Sequence, residues 1–195
     1  MDKLVSDLLG GLGRLFKNKV SQTVSKAVSN KSKTYSFEAL PQTVDELKAL
    51  PEAALTDVYA VAALSLLALT RFEADRNASI AMLNFLKGPD PLTPMAIQQI
   101  SDRFMDGKFY KVNSFFEGAT PANNYTPSQP YRIKVSSTPY SFDTENWAVL
   151  YLHSGGSDSP RPVKLRKKPS TGQWFLVEIQ YLGDIRTPPT ADKWA

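Results

Sequence analysis

The sequence contains no cysteine and a single histidine in 195 residues. The missing thiols exclude a disulfide framework, a thiolate nucleophile and any cysteine zinc site. The lone histidine, His153, cannot build a metal cluster or a catalytic triad unless serines and carboxylates gather around it. Long apolar runs are missing too. The longest, Val58 to Thr70, falls well short of the roughly 20 residues that span a bilayer and reads as a buried helix. Asp2, Lys3, Asp7 and Arg14 interrupt the apolar residues at the start, so no secretory leader is expected. These absences suit a reducing compartment, and a cytoplasmic location is the expectation.

The apolar fraction of 42% and aromatic fraction of 11% suffice for a packed core. The length suits one domain of the usual size, about 100–200 residues. Charge is unevenly spread: residues 1–33 carry seven of the 23 Lys and Arg and two of the 19 acids, a net +5. The stretch from Glu38 to Asp106 carries ten acids and five bases. The basic character is therefore mostly an N-terminal property. It describes a basic arm on a near-neutral body better than a nucleic-acid-binding domain.

The arm reads as an amphipathic helix over residues 3–29. Leu4, Leu8, Leu12, Leu15, Val20, Val24 and Val28 recur at helical steps, with lysines opposite. Gly10, Gly11 and Gly13 weaken it, each by about 1 kcal/mol relative to alanine. Such a helix can pack on its own domain, mediate self-association, or lie on an anionic membrane. Asn30 to Lys33 reads as a polar linker.

The hydrophobic period then changes once. Up to about Met105 it is helical; from about Arg132 it alternates at strand spacing. Thr43 and Glu46 have capping-box spacing before a helix to about Leu50. Thr56 or Asp57 can cap the next, which runs to about Glu73. Ser79 to Leu86 forms another, and Thr93 caps a last helix that has Pro94 in its first turn and ends before Gly107. A long loop rich in proline and asparagine follows, to Pro130. Strands are expected at Tyr131–Ser136, Trp147–His153, Arg161–Lys168 and Gln173–Leu182. The expected fold class is α+β: an N-terminal helical layer packed on a C-terminal antiparallel sheet of about four strands. The division is residues 1–33 as basic arm and linker, and 34–195 as a single domain.

Strand alternation separates two faces. Ile133, Val135, Val163, Leu165, Phe175, Val177 and Ile179 are expected inside; Arg132, Lys134, Lys164, Arg166 and Glu178 outside. Parity alone does not orient the third-quarter strand. If Ala148, Leu150 and Leu152 point inward, Trp147, Val149, Tyr151 and His153 join the basic face. The candidate binding residues are thus Phe115, Phe116, Tyr125 and Tyr131 of the long loop with Arg132, Lys134, Lys164 and Arg166 of the sheet. Two plainer readings stand beside this one: strand lysines and arginines guard sheet edges, and loop aromatics can anchor the loop in the core.

No catalytic signature emerges. Ser154 and Ser157 near His153 match no nucleophile elbow. The SGGSDSP stretch from Ser154 to Pro160 could form an anion nest, but it precedes a strand rather than a helix and reads first as a turn. Glu117, Asp143, Glu145, Asp158 and Glu178 are candidate acid–base groups whose mutual spacing the sequence leaves open.

The segments FEALP, ELKALPEA, MLNFLKGPDPL, FFEGATPANNYTPSQPY and SGGSDSPRPVKLRKKPSTGQWFLVE occur in one order across about Tyr35 to Ala195. In them the chain resembles an uncharacterised family, a bacterial domain of unknown function found mainly in gut-associated Gram-positive species. The resemblance implies a bacterial, intracellular protein and transfers no activity, cofactor or catalytic residue. The expected function is a non-enzymatic binding or protein-interaction module with a protein or small-molecule partner, no cofactor and no metal site. The alternatives are a small hydrolase or isomerase using His153 and a carboxylate, or a peripheral membrane protein held by the N-terminal helix. Nucleic-acid binding ranks below them.

Overall fold

The computed structural model describes residues 31–192 and Trp194; the amphipathic helix expected over 3–29 lies outside these residues. Five strands form one antiparallel sheet whose neighbours follow chain order: β1 (Ser32–Phe37), β2 (Tyr131–Ser136), β3 (Trp147–Leu152), β4 (Arg161–Lys167) and β5 (Trp174–Ile179). Four of these are legible in the hydrophobic pattern. The fifth, β1, begins with Ser32 and Lys33, which look like linker. It buries only Phe37, at 4% exposure. Its place is set by register with β2, Ser32 opposite Ser136 through Phe37 opposite Tyr131. Edge strands tolerate such polar composition because one side of their ladder meets water.

Among the described residues five α-helices lie between β1 and β2: α1 (Val44–Ala49), α2 (Val58–Thr70), α3 (Arg76–Lys87), α4 (Pro94–Phe104) and α5 (Tyr110–Asn113). Short side chains start the first four, each accepting an amide proton that the helix itself cannot use. Thr43 takes Glu46 N–H at 3.2 Å, Asp57 takes Tyr59 N–H at 3.0 Å, Asp75 takes Ala78 N–H at 3.0 Å and Thr93 takes Ala96 N–H at 3.2 Å. The Asp75 cap starts α3 three residues ahead of Ser79, and α2 ends at Thr70 before a turn rather than running to Glu73.

The α2 helix is apolar all round, and every residue from Val58 to Leu69 is buried. It crosses the sheet in contact with all five strands and carries α3 on another side. A helix with no polar face can only be an interior one. Each fully buried leucine in it contributes about 1.5–3 kcal/mol. Its one serine hydroxyl is satisfied: Ser65 Oγ donates to Ala62 O at 2.7 Å and shares a 3.0 Å bond with Tyr181 Oη. Ser79 Oγ of α3 donates to Ala68 O at 2.7 Å, tying the two helices.

The N-cap of α2 also anchors β1. Lys33 Nζ and Tyr35 Oη each donate to Asp57 Oδ2 at 2.7 Å. Partial burial pushes the Asp57 carboxyl upward, but these two donors and the Tyr59 amide outweigh it and hold it below the usual carboxylate range.

On β5 the expected parity fails. Lys164 pairs with Glu178 while Leu165 pairs with Leu176, which leaves Val177 as an extra residue in a bulge. Leu176 is therefore the buried residue, at 2% exposure, and Phe175 lies on the Arg166 side, half-buried against the edge of the core. A one-residue shift reverses every side chain beyond it.

Candidate functional site

The face of the sheet turned away from α2 is the exposed one. Arg132 and Lys134 project from β2, and Lys164 and Arg166 from β4, where they sit opposite Val149 and Trp147 of β3. Ala148, Leu150 and Leu152 are buried, so Trp147, Val149 and Tyr151 do share this basic face. Trp147 carries two cations, Lys164 Nζ and Arg166 Cζ, each 5.0 Å from its ring centre. Lys164 reaches Glu178 at 3.4 Å and Arg132 reaches Glu117 at 3.3 Å. Both are exposed pairs, worth at most about 1 kcal/mol. Lys134 and Arg166 join no ion pair among the described residues. The face therefore has positive charge that no ion pair among the described residues neutralises.

At the β3 end this face runs into a recess of about 300 Å³ that Arg132, Lys134, His153, Thr34 and Glu117 help to line. His153 is half-buried there, and its Nε2 lies 2.9 Å from Ser136 Oγ. Burial and the neighbouring Lys134 ammonium hold the imidazole below its ordinary range, so it is neutral near pH 7. Among the described residues the ring's hydrogen-bond partner is a hydroxyl rather than a carboxylate, and Glu117 of the same recess is engaged by Arg132. Among the described residues no group of three or more His, Cys, Asp or Glu could hold a metal ion.

The loop half of the expected surface turns inward. Phe115, Phe116 and Tyr125 are exposed by 1%, 2% and 0%, so they are core residues, and Phe115 and Phe116 reach only the wall of the 300 Å³ recess. Tyr131 is half-buried and packs edge-on against Phe116, 5.6 Å between ring centres. Phe116 forms a bridge with Ile133, and Glu117 N–H donates to Arg132 O at 2.9 Å, so this stretch lies along β2 as a short extension of the sheet. Tyr125 stacks on Tyr110 at 5.6 Å and donates its hydroxyl to Arg186 O at 2.7 Å. The SGGSDSP turn closes over this loop. A Cβ at Gly156 would strike Tyr125 Oη and Ile185 Cγ2. The loop and the turn are thus one packed unit.

Two further recesses lie elsewhere. A groove of about 610 Å³ runs between α4 and β5, away from His153, Arg166 and the 115–131 loop. A recess of about 290 Å³ sits beyond the end of α3, against the β4–β5 hairpin, with Trp147, Phe175, Arg166 and Lys87 on its walls. Of these wall residues, Lys87 was invisible in the sequence, where it looks like an ordinary last-turn lysine. Phe175 was hidden by the bulge.

The sequence profile of a domain of unknown function, DUF6935, matches residues 39–189. The chain belongs to that family. The DUF6935 match starts after β1 and takes in all five helices and the other four strands. No curated protein and no solved structure matches the chain. No helix of the DUF6935 domain, among the described residues, is long and apolar enough to cross a membrane.

Proposed function

We propose that this domain is a non-catalytic binding module of the bacterial cytoplasm whose exposed sheet face docks an acidic segment of a partner protein. One observation carries the reading: Arg132, Lys134, Lys164 and Arg166 project from the same side of the sheet, and Lys134 and Arg166 join no ion pair among the described residues. Complementary charge steers such partners and fixes their register. A polypeptide is favoured over a nucleic acid because a base needs a free aromatic face to stack on. Here the two cations on Trp147 compete for that face. A cysteine-free chain suits a reducing compartment.

The test is titration with an oligo-glutamate peptide and with a single-stranded oligonucleotide at low salt. The peptide is expected to bind, more weakly as salt rises. Arg132→Glu combined with Lys134→Glu should lower its affinity about tenfold while thermal unfolding stays unchanged. No binding of the peptide, or tighter binding of the oligonucleotide, overturns the reading. A hydrolase has one point in its favour, the His153–Ser136 contact. It lacks the carboxylate that would orient the imidazole, and a fluorophosphonate probe is expected to leave Ser136 unlabelled.

A further inference from the structure

Lys87, the last residue of α3, is 8% exposed and yet joins no ion pair among the described residues. Its Nζ donates to Val177 O at 3.0 Å, on the bulge of β5. That contact blunts a sheet edge and suits a helix C-terminus, but it uses one ammonium proton. The others find no acceptor among the described residues. A buried charge without a counter-charge is costly, and an anion beside it removes that cost.

Lys87 stands in the wall between the two recesses, and charge decides which of them suits an anion. In the groove against α4, Lys87 and Arg103 are balanced by Asp102 and Glu178. In the smaller recess, Lys87 is joined by Arg166, Lys167 and Lys168, with Asp90 the one acid on the walls. The rest of that recess is flat and apolar. Trp147 and Phe175 line it, and Phe175 is pressed so closely onto Gly88 that any Cβ there would enter its ring. Gly88 also has φ +60°, a conformation costly for other residues. The end of α3 is thereby locked against the hairpin, and the recess has fixed walls.

We propose that this recess is a binding site for a small phosphate monoester carrying a planar ring, with Lys87 and Arg166 on the phosphate and Phe175 against the ring. A volume near 290 Å³ lies just below the range for drug-sized ligands, about 300–1,000 Å³, and limits the ligand to a small one. Clustered cations favour a dianion over a monoanion. The site goes beyond the docking face and shares only Arg166 with it as a charged group.

The experiment is an NMR titration of the full chain with phenyl phosphate, inorganic phosphate and phenol, following the Trp147 indole N–H. Phenyl phosphate is expected to saturate at millimolar concentrations, with inorganic phosphate and phenol each binding more weakly. Lys87→Met keeps the apolar stem and removes the charge, and should weaken phenyl phosphate at least about tenfold. Should Lys87→Met not fold, the surface pair Arg166→Gln with Lys168→Gln must give a comparable loss. The proposal is overturned if phenyl phosphate does not saturate, if phenol binds as well, or if the folded variants bind as tightly as the parent. The oligo-glutamate test depends on Arg132 and Lys134, which do not line this recess, so either result can fail without the other.

Discussion

The 115–131 loop and strand β3 reverse the usual association of irregular chain with surface and regular chain with core. The loop has little regular structure, yet Phe115, Phe116 and Tyr125 are as deeply buried as the leucines of α2. Strand β3 is fully paired with β4, yet Trp147 and Tyr151 stay half-exposed among cations. Burial here follows which side of the sheet a residue faces, not how regular its backbone is. The loop reaches the core side because Phe116 joins the β2 ladder at Ile133. Trp147 is kept outside by parity with the buried Ala148.

The sharpest test of this contrast pairs Phe115→Ala with Trp147→Ala in urea unfolding. Removing Phe115 empties core volume and is expected to cost about 3–5 kcal/mol. Removing Trp147 forfeits two cation–ring contacts at a half-exposed site, about 0.5–1 kcal/mol each. Equal losses would mean that the basic face is covered. A medium effect is expected within the loop unit. Gly156→Ala should cost about 1–3 kcal/mol through overpacking against Tyr125 and Ile185. Gly183→Ala, which meets nothing within 4 Å, should be near neutral by the same measurement.

The smallest effect concerns pH. His153 has a folded-state pKa below its unfolded value of about 6.5. Its contribution to stability is therefore complete above that pH and is lost as pH falls through the lower folded value. His153→Gln should flatten this part of the stability–pH curve between pH 7 and 5. Lys134→Gln should raise the imidazole pKa in an NMR titration, because it deletes one of the two causes of the depression. An unmoved pKa would place Lys134 away from the recess.

Much of the architecture was legible. Thr43, Asp57 and Thr93 announce three helix starts through side chains that can accept an amide proton. The alternation around Ile133, Leu150 and Val163 separates the faces of three strands. The candidate site was half legible: the four sheet cations lie where alternation puts them, while the loop aromatics do not join them at the surface. Neither β1 nor the bulge could be read. Tyr35 and Phe37 give too short an alternation among serines and lysine, and Val177 looks like any other strand valine until its partner strand counts it as extra.

Local chemistry alone determined four of the five strands and the first four helices, because periodicity and helix capping act over a few residues along the chain. It also determined that no thiol or histidine cluster exists to do chemistry. Tertiary structure decided everything that depends on residues distant in sequence: the partner of β1, the inward turn of the loop, the reversal of Phe175, and the isolation of the Lys87 ammonium beside β5. Register, burial and the pairing of charges are properties of what packs across the fold, and the neighbours of a residue along the chain carry little of that information.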